Sequence, residues 1–150
     1  MSVPDASFVG KALPPTGPYL VGREKIREFA VAIGEDVPVC HDPAAARGAG
    51  HPDVVAPPTF TITFVLPAIE AFLRDPAFGW DYSRMVHAEQ SIQLRRPVHA
   101  GDELVTTIHV EDLRTRAGSH RLTLRCEVTD VDGAAVATTR ATLITAAEPS

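Results

Sequence analysis

Residues 57–76, PPTFTITFVLPAIEAFLRDP, constrain the fold more than any other part of the chain. Phe60, Phe64, Ile69 and Phe72, together with Ile62, Val65 and Leu66, make the segment apolar on nearly every side. A helix of that kind is stable only when neighbours cover it all round, so it belongs in the middle of a domain. Seventeen or so helical residues span about 25 Å at 1.5 Å each. Pro58 suits the first turn, where a missing N–H costs nothing, and Pro67 is expected to kink or split the helix. A buried strand competes for TFTITFV, because Phe60, Ile62 and Phe64 also alternate. Thr, Pro and Glu interrupt the run, which is too short to cross a bilayer, so no membrane partner is expected.

The second half supplies the cover. MVHAEQSIQLRRPV, DELVTTIHVEDLRTR, HRLTLRCEVTD and AAVATTRATLITA read as four strands. The third is the clearest: Leu122, Leu124, Cys126 and Val128 alternate with Arg121, Thr123, Arg125 and Glu127. Turn signals at Ala100–Asp102, near Gly118 and near Gly133 join them through connections short enough to require antiparallel pairing. A buried helix with a curled antiparallel sheet around it is an α+β arrangement. The concave face of that sheet is expected to be apolar and its convex face polar. With no repeat and no low-complexity tract, residues 1–150 read as one domain.

Ahead of the long helix, the first sixteen residues form an irregular arm, and PYLVG reads as a short strand. Ile26, Phe29, Ala30 and Ile33 then fall on one helical face. Gly22 suits the N-cap of this helix, Glu24 its positive end and Gly34 a left-handed C-cap. From Gly34 to Pro58 no apolar period is sustained, and a loop this long in a compact domain is usually functional. A net charge of −5 with fourteen scattered Lys and Arg residues gives no footprint for nucleic acid. The N-terminus lacks the pattern of a signal peptide, and two cysteines suggest no disulfide framework. A cytoplasmic location is the expectation.

The long loop opens with GEDVPVCHDP, residues 34–43, which places Glu35, Asp36, Cys40, His41 and Asp42 close together. Two carboxylates beside an imidazole are the materials of acid–base chemistry. The same residues also have a purely structural reading, in which Asp42 is the N-cap and Pro43 the first residue of a short helix through PAAAR. Cys40 fits a small buried apolar site. Cys40, His41 and His51 show no ligand spacing, so neither a metal nor a cofactor is expected. Trp80 fits a core anchor, although it lies where it would also cover a tunnel mouth.

The order of helix, polar loop, APPTF, buried helix and VHAEQSIQLRRPVHAGDEL resembles the MaoC-like hot-dog dehydratases, specifically their short members similar to the small subunits of heterodimeric (3R)-hydroxyacyl-thioester dehydratases. The resemblance implies a hot-dog fold, dimerisation through the sheet edge, and acyl-CoA or acyl-ACP thioesters as substrates. It also implies an acyl tunnel shaped by Phe60 and Phe64, with substrate contacts from His87 and Gln90. Arg84, Arg95 and Arg96 are candidates for the carrier's phosphates or acidic surface, and equally for a solvated face.

Catalytic members of that family carry Gly-Asp-x-Asn-Pro-aliphatic-His. Two registrations fit. By spacing, Asp36 and His41 are the pair. By flanking residues, Gly34 and Pro38 stay fixed, Glu35 takes the acid position and Cys40 the imidazole position. A thiol is a weak proton acceptor beside His. Where catalytic members place Gly at the buried helix's start this chain has Pro58, which offers no N–H to a thioester carbonyl, leaving Thr59 as the alternative donor. Three readings remain open: the substrate-binding half of a two-subunit dehydratase, with a degenerate motif; a self-sufficient homodimeric enoyl-thioester hydratase using Asp36 and His41; and a non-catalytic acyl-thioester or protein-binding dimer. A thioesterase is a fourth, since fold does not fix function.

Overall fold

A computed structural model describes residues 3–146. Helix α3, Ile62–Leu73, runs beneath an antiparallel sheet whose strand order is β1-β3-β4-β5-β2. The strands are β1 Tyr19–Leu20, β2 Met85–Leu94, β3 Glu103–Arg116, β4 Ser119–Asp130 and β5 Ala135–Ala146. Two further helices precede α3: α1 Arg23–Ala32 and α2 Pro43–Gly48.

The sheet's two faces follow the period-two pattern of its strands. On β4, Leu122, Leu124, Cys126 and Val128 are buried toward α3, and they meet Leu143, Ala141 and Ala137 of β5 on the same face. The convex face carries Arg121, Arg125, Glu127 and Arg140, tied across strands to Glu111, Glu89 and Thr138. Val65, Ile69 and Leu73 of α3 are sealed under the concave side, but the helix is not covered all round as expected: Pro67 and Ala71 are exposed and Ile62 and Leu66 half-buried.

The start of α3 departs from the sequence reading. Pro58–Thr61 form a 3-10 turn, and the α-helix proper begins at Ile62. The alternating TFTITFV segment is helical, not a strand. Pro67 does not split the helix, which continues through it to Leu73. Pro67 lies on the exposed side, where water can serve the carbonyl that its ring deprives of a partner. In α1, Ile26 and Ala30 are buried and Phe29 packs against the core, but Ile33 is 50% exposed. The helix ends one residue before it, and Gly34 at φ +74° turns the chain away.

Two polar clamps hold the loops around the helix start. Arg23, at the start of α1, grips Asp53 with two hydrogen bonds of 2.9 and 2.8 Å. Arg96 does the same to Asp102 at 2.9 Å each, while the His99 N–H donates to the same carboxylate. Arg96 is therefore engaged in a structural ion pair. Trp80 is buried and stacked on Phe78 at 6.1 Å, which makes it a core anchor.

Candidate functional site

The GEDVPVCHDP loop folds into a tight structure. After Gly34, the Glu35 N–H returns to the Ala30 carbonyl at 2.8 Å, and the Glu35 side chain accepts the Val37 N–H at 3.1 Å. Pro38–Cys40 form a 3-10 turn, and Asp42 then caps α2 by accepting the Ala44 N–H at 2.9 Å. The cap role read from the sequence for Asp42 is thus the one it fills. The wall opposite is stitched in place by Val55 N–H to Val39 carbonyl at 2.9 Å and Ala56 N–H to Val98 carbonyl at 2.7 Å.

Between these segments lies a recess of about 270 Å³, lined by Glu35, Val37, Val39, Cys40, Val55, Ala56, Pro57, Pro58, Leu94 and Pro97. It brings together the acid and imidazole positions of the flank-based registration, Glu35 and Cys40, with Pro58 from the start of the buried helix. The spacing-based pair is not brought together there. Neither Asp36 nor His41 lines the recess. Asp36 is exposed, and the His41 ring is engaged by its Nε2 with the Glu35 backbone carbonyl at 2.7 Å. Burial, reinforced by the Glu35 charge, pushes the Cys40 thiol above its usual pKa, so it stays protonated near neutrality. Thr59 is exposed outside the recess.

Phe60 and Phe64 face inward. Phe60 is completely buried, edge-on to Phe29 at 5.6 Å, and Phe64 stacks on Tyr19 at 5.1 Å. Both rings are committed to packing within the core.

A second, more open cleft of about 420 Å³ lies between α3 and β2, lined by Ile62, Leu66, His87, Ala88, Glu89 and Gln90. Ile62 and Leu66 are one helical turn apart and only half-buried. His87 is in register with Leu143 and Gln90 with Ala141, and a bulge at Ala88 separates them. That extra residue is what lets two side chains three positions apart face the same side of a strand. Among the described residues β2 pairs only with β5, so its outer edge is free along ten residues.

Sequence reasoning missed the recess walls Val37, Val39, Val55, Leu94 and Pro97, and the cleft residues Ile62 and Leu66. Valines recurring inside an otherwise polar loop were the available signal for the first group.

Comparison with known proteins places this geometry. Residues 7–139 match the family described as FAS1-like, dehydratase domain region. The chain belongs to that family. This dehydratase-region protein is 51% identical over 140 residues to a UPF0336 protein of Saccharopolyspora erythraea, covering 93% of this chain and 90% of the relative. It is 48% identical over 134 residues to UPF0336 protein SCO4636 of Streptomyces coelicolor, covering 89% of each. Among solved structures, a MaoC-like dehydratase superposes with TM-score 0.84 at 33% identity over 94% of this chain, which spans only 43% of that longer protein. The C-terminally truncated HadBC (3R-hydroxyacyl-ACP dehydratase) complex from Mycobacterium tuberculosis superposes with TM-score 0.80 at 29% identity, covering 91% of this chain and 96% of the other. The hot-dog fold and the MaoC-like resemblance read from the sequence are both present in this dehydratase-region protein.

Proposed function

We propose that this chain is the substrate-binding half of a two-subunit (3R)-hydroxyacyl-thioester dehydratase, and that a separate MaoC-like subunit supplies the acid–base pair. The observation supporting this reading is the recess: its lining includes Cys40, which the flank-based registration puts at the imidazole position, and Pro58, which has no N–H to polarise a thioester carbonyl. Reversible hydration needs one group to move a proton at C2 and another to hold the water or hydroxyl. A neutral thiol beside a carboxylate does not fill both roles, and His41 is turned onto the Glu35 carbonyl.

What the chain offers instead is the cleft between α3 and β2. Its apolar floor, Ile62 and Leu66, suits an aliphatic chain, and His87 and Gln90 offer hydrogen bonds at its rim. Phe60 and Phe64 then support the helix from inside the core rather than touching substrate. The free β2 edge beside the cleft is the natural place for a second hot-dog subunit to extend the sheet, which would close the cleft on its open side. The heterodimeric HadBC neighbour supports this arrangement by analogy. The carrier is coenzyme A or an acyl carrier protein, the location is the cytoplasm, and residues 1–150 act as one domain.

Assay of each subunit alone and of the mixture against a crotonyl thioester tests the reading. Activity in the mixture and none in this chain alone is the expected result. Rapid hydration by this chain alone, abolished by His41→Ala, would establish the homodimeric hydratase. Ligand-induced stabilisation with no turnover in any mixture would leave only a binding role.

A further inference from the structure

The recess that holds Glu35 and Cys40 has a lining of its own character. Its walls are apolar: Val37, Val39, Val55, Ala56, Leu94 and three prolines, Pro57, Pro58 and Pro97. Its one formally charged group is the Glu35 carboxylate, half-buried, with no cationic side chain within 4 Å among the described residues. One of its oxygens accepts the Val37 N–H, and no donor among the described residues reaches the other.

Two of the donors that would welcome a carbonyl or an anion are missing. The recess sits at the N-terminal end of the 3-10 turn leading into α3, a position where backbone N–H groups normally favour negative charge. Here that position is occupied by Pro57 and Pro58, neither of which has an N–H. The Cys40 thiol, held protonated by burial, is a weak donor. The polarity of the site is therefore that of an acceptor: a free carboxylate oxygen at the rim of an apolar pocket.

We propose that the recess is a binding site for a short aliphatic molecule bearing a cationic head, a primary alkylammonium of about four to six carbons, with the head on Glu35 and the chain between the valines and prolines. At a liquid share of about 30 Å³ per small group, 270 Å³ holds roughly nine non-hydrogen atoms. Pentylammonium, with six, is within that size. The site shares no lining residue with the α3–β2 cleft, so its ligand and the acyl chain are tested separately.

The test uses the intact chain and three probes of equal length: pentylammonium, pentanol and pentanoate, followed by calorimetry and by chemical-shift changes of Val39, Val55 and Leu94. Pentylammonium is expected to bind about tenfold or more tighter than pentanol, the usual strength of a charge-assisted hydrogen bond, and pentanoate not at all. Glu35→Gln is expected to erase the preference for the amine, and Cys40→Phe, which fills the recess, to erase binding. Should Cys40→Phe not fold, Val39→Phe narrows the same space from the rim. Equal binding of pentanoate, an unchanged amine preference in Glu35→Gln, or amine binding with no shift at the recess valines would each overturn the proposal.

Discussion

The Nε2 of His41 and the backbone carbonyl of Glu35 are 2.7 Å apart, which closes a ring of seven residues at the mouth of the recess. The imidazole that the five-residue spacing from Asp36 singles out is thus used to fix the shape of the loop. His41→Ala is expected to cost about 1 kcal/mol of stability, the net worth of one hydrogen bond, measured by urea unfolding. Hydration by a complex with a catalytic subunit should change by less than about twofold, because no bond-making step is assigned to this ring. A loss of two orders of magnitude in kcat would return His41 to the chemistry.

Asp53 carries the acid sensitivity of the loop. The two hydrogen bonds from Arg23, then its own contact with the Val54 N–H, hold its pKa at about 2, below the ordinary carboxylate value. A pKa lowered by folding contributes stability that is fully present above the unfolded value near 3.9 and is lost as pH falls through about 2. Unfolding free energy should therefore decline between about pH 4 and pH 2, and Arg23→Gln should flatten that part of the profile. Arg23 is half-exposed, so the effect is small and shrinks further in high salt.

Asp102 is the more costly clamp to break. Its carboxylate is 8% exposed and satisfies both Arg96 nitrogens and the His99 N–H. Asp102→Ala leaves a guanidinium and a backbone donor unpaired and is expected to destabilise by about 3 kcal/mol. Asp102→Asn, which keeps the shape and one acceptor, should cost less. Equal urea midpoints for the two variants would show that packing, not the ion pair, is what the residue provides.

Both cysteines should resist labelling in the folded protein. Burial pushes Cys126 up to about 12 and raises Cys40 as well, so little thiolate is present at neutral pH. A disulfide-exchange reagent at pH 8 should react with two thiols only after unfolding. Fast reaction of one thiol in the native state would mark Cys40 as exposed on the labelling timescale.

Phe60→Ala should behave as a core truncation. A fully buried ring packed edge-on to Phe29 is worth about 3–5 kcal/mol against Ala. Its effect on acyl-thioester binding should track the loss of folded protein, with no change in chain-length preference; a shifted preference would put the ring on the substrate.

Which of these features could be read from the sequence depends on how local their causes are. The sheet strands were legible because each alternates with period two, and Asp42 as a cap because Asp-Pro before an alanine run is a local signal. The helical run from Pro58 to Leu73 has close to the length read from the sequence, but its first turn is 3-10 because the proline at 58 and the β-branched residues after it favour a tight start, while Pro67 escapes its usual penalty by facing water. The pairing of Glu35 with Cys40 is recoverable by holding Gly34 and Pro38 fixed, whereas counting five residues from Asp36 to His41 leads outside the recess. The bulge at Ala88 was not legible: no residue type announces it, and only the register with β5 reveals that His87 and Gln90 share a face.

The free edge of β2 carries a consequence for the life of the chain. From Met85 to Leu94 it has no lysine and no proline, and a single formal charge at Glu89, so little besides the bulge discourages another strand from adding to it. Where the proposed second subunit is in short supply, chains with this edge unpaired are open to self-association. Its abundance is therefore expected to be set by stoichiometry, with matched synthesis protecting it better than any stabilising substitution in the core.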